Sequence, residues 1–286
     1  MKRLLGTTVL LAAALSVALP PAPADVPAPT IYAHRGGAAE APENTLGAFR
    51  QSVARYGTAV WLEMDVHLTL DGELVVIHDA TLDRTTNCNG PVRLKTLSEV
   101  QACDAADLWA GWGFEPVPAL RDVLAEGKAK SWRLLPELKN IPGDADFDPT
   151  GALAASELLA LVDETRFPNE DIVVQSFFPT SLDQIELASD IGTAFLTTSR
   201  LHSGLPPGAG FTMEQNTLYS NARGYEVAAP NHDASDVDGA RVAAAHALGL
   251  EVVVWTVDSP RRAQELAGFG VDGIITNEPG AILAAL

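Results

Sequence analysis

The sequence of 286 residues contains few cysteines, few basic residues and no apolar run long enough for a comfortable membrane span. Its two cysteines, Cys88 and Cys103, lie far apart, which excludes the closely spaced thiolates of a zinc ribbon or finger. Lysine and arginine number 19 against 37 aspartates and glutamates, so the formal charge is −18 at pH 7. Such an acidic chain is a poor partner for nucleic acid or an anionic membrane, and it needs local positive charge around any anionic substrate.

The first residues are typical of a secretory signal peptide. Lys2 and Arg3 precede an apolar run at 4–19, and small residues at 22–24 suit cleavage after Ala24. We therefore predict a signal peptide at 1–24, with a retained anchor as the alternative, and a secreted protein that is extracellular or periplasmic. One domain would remain at residues 25–286, and the loss of the two basic residues would take its formal charge from −18 to −20. No cysteine lies near the cut, which excludes lipid attachment at that position.

The two cysteines are separated by 15 positions. In an exported protein this favours one disulfide, Cys88–Cys103, over two free thiols. In the chain-entropy model, closing a loop of that size stabilises the fold by about 3 kcal/mol.

Strand-like and helical stretches alternate along the rest of the chain. Short apolar runs predict strands at 31–34, 59–66, 132–139, 172–177, 193–197, 226–229, 251–257 and 273–276. Apolar residues at helical spacing predict helices at 44–56, 152–165, 181–188, 237–248, 260–268 and 280–286. Eight strands alternating with helices predict an α/β fold, a parallel TIM (β/α)8 barrel. Residues 69–127 are too many for one crossover, so we predict a small insertion after the second strand, with a hairpin at Asp71-Gly72 and a helix from Ala119.

Three acidic residues lie on predicted strands, where an unpaired charge is unfavourable. Trp61, Glu63 and Asp65 share the face of the second strand that points into the barrel, because side chains alternate along a strand. Two carboxylates roughly 7 Å apart repel each other and resist burial. Glu137 and Lys139 repeat the pattern on the third strand. One divalent cation between the three carboxylates would remove the repulsion, and oxygen-only ligands favour Ca2+ or Mg2+ over Zn2+; surface ion pairs are the alternative.

The ends of the first strand and of the hairpin each carry a histidine. His34 and Arg35 are followed by two glycines and by PENT, which begins a helix with Asn44 as the expected N-cap. An arginine beside two glycines and a helix start suits a phosphate-binding site. His78 follows an apolar run, as His34 does. Two such histidines can act as general acid and general base near neutral pH, although a lone histidine in this position is more often structural.

Two nearby features are expected to be structural. His67 shares the parity of the strand carboxylates, and we expect it to lie past the end of the strand and outside the ligand set. Asp144, Asp146 and Asp148 alternate as in a calcium loop, but no glutamate occupies the twelfth position, so an acidic surface loop is favoured.

The chain resembles the glycerophosphodiester phosphodiesterase family in four stretches: HRGGAAEAPENT, LEMDVHLTLDGELVVIHDATLDRTTN, PELK and VVVWTVD. Their order and spacing fit that family over nearly all of residues 31–286. The resemblance implies a TIM barrel that hydrolyses a glycerophosphodiester to sn-glycerol 3-phosphate and an alcohol at the C-terminal ends of its strands. It also implies catalytic, metal-binding, phosphate-binding and glycerol-pocket roles. The catalytic residues would be His34 and His78, and the metal ligands Glu63, Asp65 and Glu137. Arg35 and Lys139 would bind phosphate, and Trp255 would line the glycerol pocket, with Phe177 as a further apolar wall.

Two other functions stay open. A phospholipase D-like enzyme that acts on intact phospholipid or sphingomyelin would use the same histidine and metal pattern, but no conspicuous aromatic or basic membrane patch is readable in the sequence. A small water-soluble substrate without stable membrane association is therefore favoured. A non-catalytic secreted protein that binds phosphate or metal would require the loss of a catalytic group, whereas both histidines and all three carboxylates are present. No protein partner is implied.

Overall fold

The computed structural model of this chain describes residues 27–198, 210–233 and 236–286. The signal peptide predicted at residues 1–24 lies outside the described residues and stays a prediction. Within those three ranges, no helix has both the length and the hydropathy needed to cross a bilayer.

Eight parallel strands close into a barrel, which confirms the predicted fold class. With one further strand outside the ring, the described residues contain nine strands: β1 (Thr30–Ala33), β2 (Trp61–Leu68), β3 (Leu74–Val76), β4 (Arg133–Leu138), β5 (Val173–Ser176), β6 (Gly192–Thr197), β7 (Val227–Pro230), β8 (Glu251–Val254) and β9 (Gly273–Thr276). The ring runs β1-β9-β8-β7-β6-β5-β4-β2 and closes because β1 also pairs with β2. Strand β3 lies outside the ring and pairs antiparallel with the second half of β2, which is the hairpin predicted at Asp71-Gly72.

Helices cover the outside of the ring. They are α1 (Leu46–Tyr56), α2 (Leu97–Gln101), α3 (Leu120–Lys130), α4 (Ala152–Thr165), α5 (Pro179–Ala188), α6 (Met213–Arg223), α7 (Gly239–Ala247), α8 (Pro260–Phe269) and α9 (Pro279–Leu283). All predicted helices are present, and the helix expected from Ala119 begins at Leu120. Helices α2 and α6 are additional to the prediction. Each begins with a capping box, which is a signal that the sequence does carry.

Side-chain alternation on β2 decides what faces the barrel interior. Leu62, Met64 and Val66 are fully buried in the layer between the barrel and its helices, and burial of each contributes about 1.5–3 kcal/mol. The opposite face carries Glu63 and Asp65 into the ring. Apolar side chains from other strands fill the rest of the interior: Tyr32, Leu135, Ala194, Leu196, Val227, Ala229, Val253 and Ile275. The charged side chains therefore lie towards the barrel mouth at the C-terminal ends of the strands, and the apolar side chains fill the interior beneath them.

The insertion between β3 and α3 has a small apolar core of its own. Cys88 and Cys103 form a disulfide, as predicted. Cys103 packs there with Val75 and Val100, so the segment is tied to the β2–β3 hairpin as well as to itself. The segment begins just before His78, and it therefore carries that histidine at the barrel mouth.

Candidate active site

Three carboxylates meet inside the mouth of the barrel. Glu63 and Asp65 come from β2, and Glu137 comes from β4, where it is the register partner of Asp65. Their exposed fractions are 1%, 1% and 6%, and one oxygen from each lies within 4.8 Å of the others. They are therefore not surface ion pairs, and the strand pattern correctly predicted that they converge.

Two basic side chains lie against this cluster. Lys139 Nζ is 3.0 Å from Asp65 Oδ1 and 2.8 Å from Glu137 Oε1, and Arg35 Nε is 3.2 Å from Asp65 Oδ2. Asp65 Oδ1 and Glu137 Oε1 are buried and receive no well-oriented hydrogen bond from the described residues. Beyond the ion pair with Lys139, both oxygens thus keep hydrogen-bonding capacity that a cation would use.

Burial and mutual repulsion oppose full ionisation of the cluster. Burial, followed by the charges of Asp65 and Glu137, raises the pKa of Glu63 well above its usual range. Burial also raises the pKa of Glu137 against the attraction of Lys139. Burial acts on Asp65 in the same direction, but Lys139 and other cationic neighbours outweigh it and hold the pKa of Asp65 well below its usual range. Within the described residues, two basic side chains face three carboxylates, so the cluster fits one divalent cation.

Hydrogen bonds from neighbouring groups orient the carboxylates. Glu63 accepts from Gln175 Nε2 (2.9 Å) and from the backbone N of Arg35 (2.8 Å). Asp65 Oδ2 accepts from Asn44 Nδ2 at 2.9 Å. Neither amide side chain was identifiable as a site residue from its local sequence pattern, since each contacts β2 from another part of the chain.

Asn44 is not the N-cap of α1, contrary to prediction. The N-cap is Thr45, whose hydroxyl accepts from the backbone N of Ala48 at 3.0 Å. Asn44 instead has φ of 59°, a left-handed conformation that asparagine tolerates better than most residues. This turns its amide inwards, where it binds both the carboxylate and the backbone of Asp65.

His34 lies on one side of the cluster with a defined proton arrangement. Its Nδ1 is 2.6 Å from Asn277 Oδ1, and Asn277 donates from Nδ2 and backbone N to Asp258, each at 2.8 Å. Because a carboxylate only accepts, the amide of Asn277 must turn its oxygen to His34, and Nδ1 carries the proton. The unprotonated Nε2 then faces the cavity, 3.8 Å from Glu63 Oε2. Burial, followed by the charge of Arg35, lowers the pKa of His34 to about 4, so the ring is neutral at pH 7.

His78 lies on the other side of the cavity and has a charged partner. Its Nδ1 is 2.6 Å from Asp79 Oδ1, and Asp79 in turn accepts from Arg84. The His78 side chain is 33% exposed, twice the 16% of His34. A carboxylate at Nδ1 complements a ring that carries a second proton on Nε2.

A cavity of about 100 Å³ is lined by both histidines. It is lined by His34, Arg35, Glu63, His78, Glu137, Lys139, Gln175, Phe177, Leu196, Trp255, Thr256 and Ile275. Phe177 and Trp255 pack edge to face, with ring centroids 5.4 Å apart, and form its apolar wall. Trp255 is held by a hydrogen bond from Nε1 to the backbone O of Ala229 at 2.8 Å. The structure thus brings the residues predicted for this site together, with Asp65 directly behind the lining, whereas the disulfide lies outside the lining.

His67 does not lie past the end of the strand, contrary to expectation. Pairing with β3 extends β2 to Leu68, so His67 is a buried strand residue. Its Nδ1 is 2.7 Å from Asp146 Oδ2, and its Nε2 is 3.1 Å from the carbonyl O of His78. The side chain of Asp146 is accordingly only 5% exposed and is not part of an acidic surface. Both ring nitrogens are engaged, so His67 supports the backbone of His78 and is not a metal ligand in this arrangement.

A family model described as the glycerophosphoryl diester phosphodiesterase family matches residues 34–281. The chain belongs to this family. The match begins at His34 and includes each predicted site residue, so the chain is an enzyme of the phosphodiesterase class.

Relatives and solved structures agree with this family over most of the chain. The Bacillus subtilis protein YhdW is 34% identical over 256 residues, which are 88% of this chain and 96% of YhdW. A crystal structure from Silicibacter pomeroyi is 29% identical, has a TM-score of 0.75 and is matched over 90% of this chain and 92% of that one. An Oleispira antarctica phosphodiesterase, solved with its product sn-glycerol-3-phosphate, has the same TM-score at 22% identity and is matched over 90% and 96% of the two chains. At 22% identity, the Oleispira antarctica structure shows that the two proteins share a fold.

Proposed function

We propose that this protein hydrolyses glycerophosphodiesters to sn-glycerol 3-phosphate and an alcohol, with one divalent cation and two histidines. One observation carries the proposal: three buried carboxylates, two imidazoles and two basic side chains lie in the lining of one small cavity or directly behind it. The family assignment and the product bound to the Oleispira antarctica phosphodiesterase support the substrate class.

Glu63, Asp65 and Glu137 would hold the cation, and their all-oxygen ligand set favours Ca2+ or Mg2+. When bound, such an ion neutralises the charge that develops on phosphate oxygens. Arg35 and Lys139 supply the remaining positive charge that a phosphodiester needs in a protein of net charge −18. Since both are already positioned by carboxylates, little reorganisation is required when the substrate binds.

His34 is the general base and His78 the general acid in this proposal. The free Nε2 of the neutral His34 takes a proton from the nucleophile, which is either water or the glycerol 2-hydroxyl. A bond forms from that oxygen to phosphorus, and the bond from phosphorus to the leaving alcohol breaks. His78, whose Nδ1 faces Asp79, gives the proton on Nε2 to the departing oxygen. With water as the nucleophile this gives glycerol 3-phosphate directly. With the 2-hydroxyl it gives a cyclic phosphate, which a water molecule then opens by forming a bond to phosphorus while the bond from phosphorus to the 2-oxygen breaks and that oxygen regains its proton from His34. The greater exposure of His78 suits a position beside a head group that varies between substrates.

The second candidate is cleavage of intact phospholipid or sphingomyelin. One observation favours it: the insertion exposes apolar side chains, with Leu108 at 72% and Phe114 at 60%. Beside them Trp109 and Trp112 pack edge to face, with centroids 6.5 Å apart. The insertion contacts the start of α1, next to the mouth, because the backbone N of Gly47 donates to the side chain of Glu115. Tryptophan and leucine at a surface are typical of contact with a lipid interface.

A coupled assay for glycerol 3-phosphate tests the principal proposal. Glycerophosphocholine and other glycerophosphodiesters would be offered after chelation, and then with Ca2+, Mg2+ or Mn2+ added back. We expect no turnover in chelator and recovery with one or more of the ions. Choline release from sphingomyelin vesicles, without glycerol 3-phosphate from the soluble substrate, would support the lipid candidate. Cation-dependent phosphate binding without any product would support a non-catalytic binding protein.

We also propose that the protein is exported after cleavage near Ala24. The disulfide is in keeping with an oxidising compartment. Intact-mass measurement of the protein recovered from the medium or periplasm would test this, and a product that retains residues 1–24 would contradict it.

A further inference from the structure

Five charged or titratable side chains of alternating sign run along the mouth from one side of the cavity to the other. Arg35 Nη1 donates to Glu43 Oε1 at 3.1 Å, and Glu43 accepts two bonds from Arg84, at 2.8 and 3.0 Å. Arg84 also donates two bonds to Asp79, at 2.7 and 3.0 Å, and Asp79 meets His78 Nδ1 at 2.6 Å. The series connects the residue proposed to bind phosphate with the residue proposed to protonate the leaving group.

We propose that Arg84 is a positioning residue for His78, acting through Asp79. This inference rests on the proposed function, in which His78 delivers a proton to the leaving alcohol. Arg84 uses both edges of its guanidinium, so one planar group binds both oxygens of Asp79 and both oxygens of Glu43. Lysine has the same charge but cannot form two paired contacts in one plane.

Asp79 requires such an anchor because of its place in the chain. It directly follows His78, in the irregular stretch that joins β3 to the insertion, and its side chain is 30% exposed. Glu43 is better buried, at 18%, in the turn before α1, which places it close to Arg35. Arg84 therefore fastens a carboxylate on an irregular segment to one at the barrel mouth. The ring of His78 inherits its orientation from that attachment.

Stability and catalysis respond differently to the loss of this anchor. Arg84 is 45% exposed, and exposed ion pairs contribute little to folding stability. Proton transfer, by contrast, depends steeply on the position of the acid, and a displacement of about 1 Å can lower the rate about 100-fold. A positioning role thus predicts an activity defect without a comparable loss of stability.

The test compares Arg84→Lys with Arg50→Lys. Arg50 is a matched control, because it is 49% exposed and makes the same kind of paired contact with Glu126, at 2.6 and 2.8 Å, away from the cavity lining. On glycerophosphocholine we expect Arg84→Lys to lower kcat about tenfold with KM changed by less than about twofold. The second substrate is the p-nitrophenyl ester of glycerol 3-phosphate, called the p-nitrophenyl diester below, whose leaving group needs no proton. On this substrate we expect the kcat of Arg84→Lys to stay within about twofold of wild type. Arg50→Lys is expected to match wild type on both substrates.

A double variant tests whether Arg84 acts through Asp79. We expect Arg84→Lys with Asp79→Asn to lose no more activity than Asp79→Asn alone, because residues in one network are not additive. The proposal would be overturned if the losses of kcat in the two single variants multiplied in the double variant. It would also be overturned if Arg84→Lys lowered kcat equally on the two substrates. An Arg84→Lys variant that behaves like Arg50→Lys, while wild type is active and His78→Ala is not, would overturn it too. A wild-type protein without turnover under any cation would instead contradict the proposed function itself.

Discussion

The two histidines at the mouth are held by different kinds of structure. His34 bonds to Asn277, which directly follows β9, and the amide is oriented by Asp258 from the segment after β8. His78 bonds to Asp79, its neighbour in sequence, in the irregular stretch that leads into the insertion. One ring is therefore anchored to the closed barrel, and the other depends on a surface network.

The chemistry of the partners differs in the same way. An amide oxygen at Nδ1 fixes the tautomer of His34 without adding a full negative charge, which suits a neutral base. A carboxylate at Nδ1 of His78 complements a proton-bearing ring, which suits an acid. In the proposed mechanism the barrel would supply the step common to all substrates, and the adjoining segment would supply the step that depends on the leaving alcohol.

Removal of the two imidazoles should produce the largest effects and separate their roles. We expect His34→Ala to lower kcat about 1000-fold on both glycerophosphocholine and the p-nitrophenyl diester, because both reactions need the base. We expect His78→Ala to be comparably severe on glycerophosphocholine but much milder on the p-nitrophenyl diester. His246→Ala serves as the control, since this exposed histidine pairs with Asp272 outside the cavity lining. Near-wild-type turnover of glycerophosphocholine by either His34→Ala or His78→Ala contradicts the two-histidine scheme.

Removal of one cluster carboxylate should weaken cation binding and so affect the reactions of both substrates equally. We expect Glu63→Gln to need about 100-fold more cation for half-maximal activity, with the same shift on both substrates. Wild type at a cation concentration 100 times Kd should gain about 2.7 kcal/mol of stability, seen as a rise in Tm, and the variant should lose most of that gain. Glu164→Gln, at an exposed position paired with Arg121, is the control. An unchanged cation requirement in Glu63→Gln would exclude this carboxylate from the ligand set.

The positions of the charged groups could be predicted from the sequence because the barrel topology brings strand ends together. For Glu63, Asp65 and Glu137, side-chain alternation is a local property, and the alternation of strands and helices predicted the barrel that brings the two strands side by side. The partner of His34 could not be predicted in this way, since Asn277 lies 243 positions away and its contact depends on barrel closure. His67 was placed wrongly because β3 extends β2, and a strand end set by pairing is not marked in the local pattern.

Disruption of the amide anchor sharpens the comparison with Arg84. We expect Asn277→Leu to lower kcat by about 10–100-fold on both substrates, because the base is misoriented whatever the leaving group. Leucine has a similar size, so the change removes the side-chain hydrogen bonds to His34 and Asp258 with little change in volume. Asp258 would lose the hydrogen bond from Nδ2 and keep the one from the backbone N, and a stability loss of about 1–3 kcal/mol is expected from thermal unfolding. A defect confined to glycerophosphocholine would contradict the assignment of the base to His34 and of the acid to His78.

Loss of the disulfide should have the smallest effect on activity and a clear effect on stability. We expect Cys88→Ser with Cys103→Ser to lower the free energy of unfolding by about 3 kcal/mol and to leave kcat within about twofold on both substrates. The reason is that His78 is supported independently: its carbonyl accepts from His67, and its ring is held by Asp79. If kcat on glycerophosphocholine falls while the p-nitrophenyl diester is unaffected, the covalent link also positions the acid. The dependence of His78 on surface structure would then extend from the charged network to the whole insertion.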